Sequence, residues 1–571
     1  MKKLTYLFSF LMLMGSISVD AGTFKWSADA TQTGTYKSYY DLNKDNNNDI
    51  ATRGTTTNYA QGVDSGDRVL FFSTLLGMNG EWTLVKDTSV LFRLATQFDW
   101  LGSQAGGVEM TSYAGSNQDR RHNVVNDLPF YLNKLYVKFD DFGGFPINFK
   151  FGRQNIWLGK GFVLGNRLFG AGPTIYASGY APSGSNNTTA KNGQINLATA
   201  GNLPLSNLAS NGSYHAPETS DWTGFDAFTG NVHLMNSKLN FDFGYALVSG
   251  ALSEMTGGHR SNGATTRELG TDDDEHLFFF NAGYKEMNKW NAESYLLFNY
   301  DKEPVTDVND NPATSEKGTD KIFTYGVRAD ADWGKGMANL SNVNTFAELA
   351  YQLGDLGAFS PGAAVGRQRS AFAFNLGSEF KLDTTYSPWF SLEGVFFSGM
   401  QPSKIETNDN GGTPAAGNIF VGADEKWQVW DPQFRGRFFT KIMDFIDSVY
   451  LTDTLAPDGG ANTTAGRIDA GFTNRWIAVA KAGLQPMSKT NFGLAFAYSQ
   501  AHQPPSVGAE KDLGFEVDWD LSYKMSTATT WWFDGGIFLP GGYYEMPADA
   551  VGSTGKESAW LLRTGFKLDL G

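Results

Sequence analysis

Charged side chains recur at alternate positions in segments whose other positions are apolar or aromatic. Glu516, Asp518 and Asp520 interleave with Phe515, Val517, Trp519 and Leu521. Arg328 and Asp330 oppose Phe323, Tyr325, Val327 and Ala329, Arg93 falls between Phe92 and Leu94, and Arg563 opposes Trp560, Leu562, Thr564 and Phe566. A period of two puts one set on each face of a β-strand. Charges gathered on one surface can ligate a metal, carry out acid–base chemistry or line a path for a solute. The first two are poorly supported. The six histidines, His122, His215, His233, His259, His276 and His502, have no serine at a hydrolase signature and no H-E-x-x-H spacing. With 0 Cys there is no thiolate ligand and no haem-attachment motif, so no cofactor and no enzymatic activity are expected. Asp41, Asn43 and Asp45 match the first three ligands of an EF-hand loop, but Asn46 and Thr52 occupy its glycine and glutamate positions, so 41–49 reads as a solvated loop.

The elements that must position these charges are strands that cross a membrane. Among 571 residues there are 66 Gly, aromatics reach 14%, and no stretch after the first twenty residues approaches the roughly 18 apolar residues of a spanning helix. Mean hydropathy is only -0.31, as alternation of lipid-facing and lumen-facing residues produces. A net charge of -15 argues against a nucleic-acid partner. Met1-Lys2-Lys3, the apolar run from Leu4 to Met14, and Val19 and Ala21 before a cleavage point make residues 1–21 a signal peptide, leaving 22–571 as the barrel.

Trp100, Trp333, Trp389, Trp531, Trp532 and Trp560 stand at strand ends, as interfacial girdles require. Short turns are expected at Met78-Asn79-Gly80, Phe142-Gly143-Gly144, Asn236-Ser237-Lys238, Asn288-Lys289, Gly334-Lys335-Gly336 and Met487-Ser488-Lys489. Long polar loops alternate with them. Ten such loops imply twenty strands, but 438–453 alternates poorly, with Met443-Asp444-Phe445-Ile446 read as part of a wide turn. The expected fold is therefore all-β: a single transmembrane antiparallel β-barrel of 18–20 strands, with short periplasmic turns and long extracellular loops. It would sit in the outer membrane of a Gram-negative-type bacterium, with membrane lipid and the barrel-assembly machinery as partners.

Charges facing lipid at mid-depth cost about 2–4 kcal/mol for Arg or Lys, which assigns the polar face to the lumen. The pore-lining candidates are Arg93, Lys134, Lys138, Lys150, Arg153, Arg328, Arg435, Arg437, Arg475, Arg563, Asp330, Glu379, Glu393, Glu516 and Asp518, joined by Asp87, Glu348 and Lys481. Arg435 and Arg437 share one face at i, i+2. Guanidinium groups along the wall would serve anionic solutes; equally, acids and bases paired across strands would only stiffen it. The 161–220 stretch exceeds ordinary loop lengths, and reads either as a constriction folded into the barrel or as an external lid.

The strand Leu132-Asn133-Lys134-Leu135-Tyr136-Val137 leads through a turn to Phe151-Gly152-Arg153-Gln154 and, a few residues on, Gly159. This hairpin resembles the alginate-export family of outer-membrane channels, whose pattern joins a leu-asn-x-x-tyr-val strand to a gly-arg-gln strand. Lys134 stands where that family commonly has Glu. The resemblance implies an 18-stranded barrel passing a polyanionic polysaccharide or smaller anions. Arg153 falls on the lipid face by simple alternation, and a bulge at Gly152 is expected to turn it inward. The alternative function is a structural sheath or assembly partner with an obstructed lumen, for example around an electron-transfer protein.

Overall fold

The computed structural model describes residues 22–38, 68–99, 131–165, 225–249, 275–286, 289–301, 320–334, 340–356, 367–399, 405–406, 420–421, 426, 428, 430, 437–444, 474–504, 510–544 and 557–570. The signal segment, the 41–49 loop, Trp100, Arg435 and residues 166–220 of the long stretch lie outside them. The strands in chain order begin with β1 (Thr23–Ser38), β2 (Arg68–Val85), β3 (Thr88–Asp99), β4 (Tyr131–Phe139), β5 (Ile147–Gln154), β6 (Phe225–Leu234) and β7 (Leu239–Ser249). They continue with β8 (Glu275–Glu286), β9 (Trp290–Asp301), β10 (Asp320–Asp332), β11 (Leu340–Leu356), β12 (Arg367–Leu382) and β13 (Trp389–Phe397). A two-residue pair, β14 (Ile405–Glu406) and β15 (Phe420–Val421), stands apart from the barrel. The last five are β16 (Arg475–Met487), β17 (Thr490–Ala501), β18 (Asp512–Lys524), β19 (Thr529–Pro540) and β20 (Ala559–Leu570).

Eighteen strands form one antiparallel sheet, each pairing with its neighbours in sequence, and β1 pairs with β20 from Ala28↔Leu570 to Ser38↔Trp560. Among the described strands of the barrel, closure leaves none with a neighbour missing on either side, as a bilayer requires. The outward positions are large and apolar: Trp26, Trp82, Phe151, Phe228, Phe278, Phe280, Leu296, Tyr325, Leu349, Tyr351, Phe372, Leu392 and Phe566 are all exposed.

Eighteen is the lower bound of the expected range, and the missing pair is the weak one. β13 pairs directly with β16, so 438–444 is not part of the wall. Two further expectations fail locally. Met78-Asn79-Gly80 is not a turn but lies inside β2, paired with Trp26-Ser27-Ala28; the chain reverses instead around Lys86 and Asp87. Gly80 makes room for the Phe92 ring, whose nearest carbon lies 2.3 Å from where a Cβ would stand, so its role is packing. Asp87 is accordingly a turn residue. Adjacent tryptophans in a strand cannot both face lipid. Trp531 is in register with exposed Phe566, whereas Trp532 turns inward under the Arg563 guanidinium, 5.9 Å from its ring centroid. Trp389 shares the inward parity of Ser391 and Glu393, so neither Trp389 nor Trp532 belongs to a girdle.

Candidate functional site

Two segments outside the wall fold into the lumen and meet there. The first follows β5. Gln154 is buried, and its Nε2 donates to the carbonyls of Ala227 (3.0 Å) and Gly152 (3.3 Å) while its Oε1 accepts from the Thr229 hydroxyl (2.8 Å). These bonds fix the last wall residue, after which the chain turns inward as a finger, 156–164. The finger closes on itself through Leu158 N–H to Leu164 O (3.0 Å) and Gly161 N–H to Leu158 O (2.9 Å). Gly159 adopts φ +54°, and a Cβ there would lie 2.9 Å from Cδ of Arg328, so the tip approaches the wall as only glycine allows.

The second segment is 437–444, with Trp430 just before it. Glu516 on β18 accepts three backbone N–H bonds from it, from Lys441 and Ile442 (both 2.8 Å) and Met443 (2.7 Å). Lys441 Nζ reaches Asp520 (2.6 Å) and Asp534 (3.2 Å), and Arg437 bonds Glu393 on β13 (2.7 Å). Asp444 pairs with Arg475 where both side chains are 0% exposed, and its other oxygen accepts from the amides of Phe439 and Thr440. Wall charges on four strands thus grip one short segment.

The finger and this segment join at Phe397, an inward residue of β13. Phe162 stacks on it at 5.4 Å, with Trp430 at 6.4 Å and Phe439 at 6.5 Å. Ile156, Leu158, Val163 and Leu164 pack with inward-facing Phe225, Leu277, Phe279, Leu297, Val395, Ile477 and Val479, and with alanines at 227, 246, 350, 371, 373 and 497, into one apolar cluster. The small residues let the inserted backbone approach the wall. Each buried large side chain contributes roughly 1.5–3 kcal/mol, and the aromatic pairs somewhat more.

The candidate pore residues separate into groups. Arg328 is bonded to Asp330 (2.6 Å) and Glu293 (3.3 Å), and Arg93 to Asp29 (2.6 Å). Arg563 is bidentate with Asp534 (2.8 and 2.9 Å), and Glu379 bonds Lys381 (3.0 Å). These pairs stiffen the wall. Glu516 and Arg475 anchor the inserted segment, and Asp518 is buried beside Glu516 on the same strand face. Glu348 is buried, accepting from the Tyr295 hydroxyl (2.7 Å). Lys138 and Lys150 are in register on β4 and β5. Lys138 contacts Asp140 (2.7 Å), and Lys150 lies 5.7 Å from the Tyr136 ring centroid; Lys134 sits opposite Arg93.

Arg153 is the correction. The β4–β5 register runs through Gly152 without a shift, Arg153 pairs with outward Leu135, and Phe151 beside it is exposed. No bulge turns it inward. It stays on the lipid face because Asp226 neutralises it bidentately, at 2.8 and 2.7 Å.

Sequence reasoning missed Lys160. It rides on the finger tip in the lumen, with Nζ 3.2 Å from the centroid of the Phe346 ring and no carboxylate in salt-bridge contact among the described residues. Burial, with Arg437 and Arg328 near, pushes its ammonium down to about 8 even though Glu393 and Asp330 oppose the shift. The signal available in the sequence was Gly159-Lys160-Gly161 flanked by apolar residues that do not alternate. The described histidines are engaged elsewhere: His233 with Asn148 and Asn240, His276 with Tyr245, and His502 with the Gly399 amide. Among the described residues no three His, Cys, Asp or Glu side chains are grouped to hold a metal.

A closed barrel with an apolar outer belt and a charged, narrowed interior is an outer-membrane β-barrel of porin architecture. By sequence the chain matches no family model and no curated protein, so the alginate-export resemblance rests on its motif alone. Among solved structures it is similar to OccK11 (OpdR) of Pseudomonas aeruginosa, with 8% identity, 95% of this chain and 96% of that one covered, and a TM-score of 0.41. It is also similar to OccAB1 of Acinetobacter baumannii (10%, 97% and 97%, 0.43) and to the outer membrane protein OprD of Pseudomonas aeruginosa (9%, 97% and 96%, 0.40).

Proposed function

We propose that the barrel is a passive channel for small polar solutes that favours anions, with the preference set at Lys160. The observation that carries this reading is the position of Lys160: a cation on the finger that narrows the lumen, in salt-bridge contact with no carboxylate among the described residues, whereas most wall charges near it are paired. The narrowing favours small anions over a polysaccharide chain. The competing reading, a sheath or assembly partner with an obstructed lumen, draws on the apolar packing that fills part of the bore.

Reversal potential in a planar bilayer under a salt gradient tests the anion preference. At ~6 Å in a water-like dielectric one charge is worth about 0.7 kcal/mol to a passing ion, roughly threefold in permeability. Lys160→Gln is expected to lower the anion-to-cation ratio by at least that factor. The wild-type ratio should fall likewise as pH rises from 7 to 9, because the amine loses its charge as pH passes through about 8. The pH response should be weaker in Lys160→Gln. A cation preference in the wild type, or a ratio indifferent to Lys160, would remove the anionic reading and leave the barrel standing.

A further inference from the structure

The lipid-facing surface is not uniform. On the outer face of β5 and β6 stands the Arg153–Asp226 pair, with side chains 38% and 48% exposed. Arg153 is six residues from the start of β5 and Asp226 eight from the end of β6. A strand tilted about 40° climbs about 2.5 Å per residue, which places the pair about 15–20 Å above the periplasmic end of the wall, within an apolar belt about 25 Å tall. Around it Phe151 is 64% exposed, and Leu135 and Phe228 are also exposed.

A charged pair open to acyl chains is unfavourable against lipid, and is relieved when another protein surface covers it. We propose that the outer face of β4–β6 is the contact surface for a second copy of this chain. The occupant follows from the charges. The face offers one cation and one anion side by side, so an apposed copy related by a two-fold axis sets Arg153 against Asp226 in both directions. The flanking Phe151, Phe228 and Leu135 supply the apolar surround. The proposal is independent of the solute the lumen passes.

The test is photo-crosslinking of the full chain in its native membrane, with p-benzoylphenylalanine replacing Phe151. Leu392 on β13, outward and 57% exposed on the far side of the barrel, takes the same replacement as control. Both are apolar lipid-facing positions, so folding is preserved, and heat-modifiable migration verifies it. The expected result is a light-dependent species of twice the chain mass, containing this chain alone, several times more abundant from position 151 than from 392. Equal yields, no adduct from 151, or an adduct with a different protein would each overturn the proposal.

Discussion

Replacing Arg475 by Met is expected to destabilise the barrel by about 3–5 kcal/mol, since it leaves the Asp444 carboxylate buried without its counter-charge. Both side chains have no exposure, and Asp444 already gives its second oxygen to the Phe439 and Thr440 amides. Urea unfolding in lipid vesicles reads the loss. Adding Asp444→Asn should recover much of it, because the uncompensated charge, more than the lost attraction, carries the cost. A loss under about 1 kcal/mol would mean that the 437–444 segment does not sit in the lumen on Arg475 as described.

The second large effect concerns the finger. Replacing 156–164 by an equally long Gly/Ser stretch removes Ile156, Leu158, Phe162, Val163 and Leu164 from the apolar cluster, and removes Lys160 from the lumen. An 18-strand barrel encloses an aqueous bore unless something fills it, so single-channel conductance should rise about twofold or more. The anion preference should fall in the same variant. Unchanged conductance would place the narrowest point elsewhere, at 437–444 first of all.

These two elements also mark where the sequence stops being readable. The wall was legible because period-two alternation is imposed residue by residue. Glu516, Asp518, Arg328 and Arg563 fall on the inner face as the pattern requires. The rule that the inner face is polar holds only where the lumen is wet. On β6, β8 and β9 the inward residues include Phe225, Leu277, Phe279 and Leu297, which pack with the finger rather than against water. At those positions the inner face is as apolar as the outer, and alternation carries no direction. Arg153 misled for the complementary reason. A charge on the lipid face looks impossible until its partner is known, and Asp226 stands 73 residues away in sequence. Poor alternation begins at 438, and 438–444, the described part of that stretch, is not wall. What it does instead depends on Glu516, Asp520, Asp534 and Arg475, and nothing local in the chain announces those contacts. The Gly-Arg-Gln step is likewise a structural junction: Gln154 ends the wall and aims the chain into the lumen, while Arg153 faces the opposite way.

A channel requires that the narrowed lumen still conducts. The most direct measurement is single-channel current through the purified protein, refolded without residues 1–21, in a planar bilayer. Stable, discrete conductance steps are expected, smaller than those of the finger-replacement variant in the same salt. A wild-type barrel that stays closed at every ionic strength and voltage, beside a finger variant that conducts, would contradict the channel and favour the sheath.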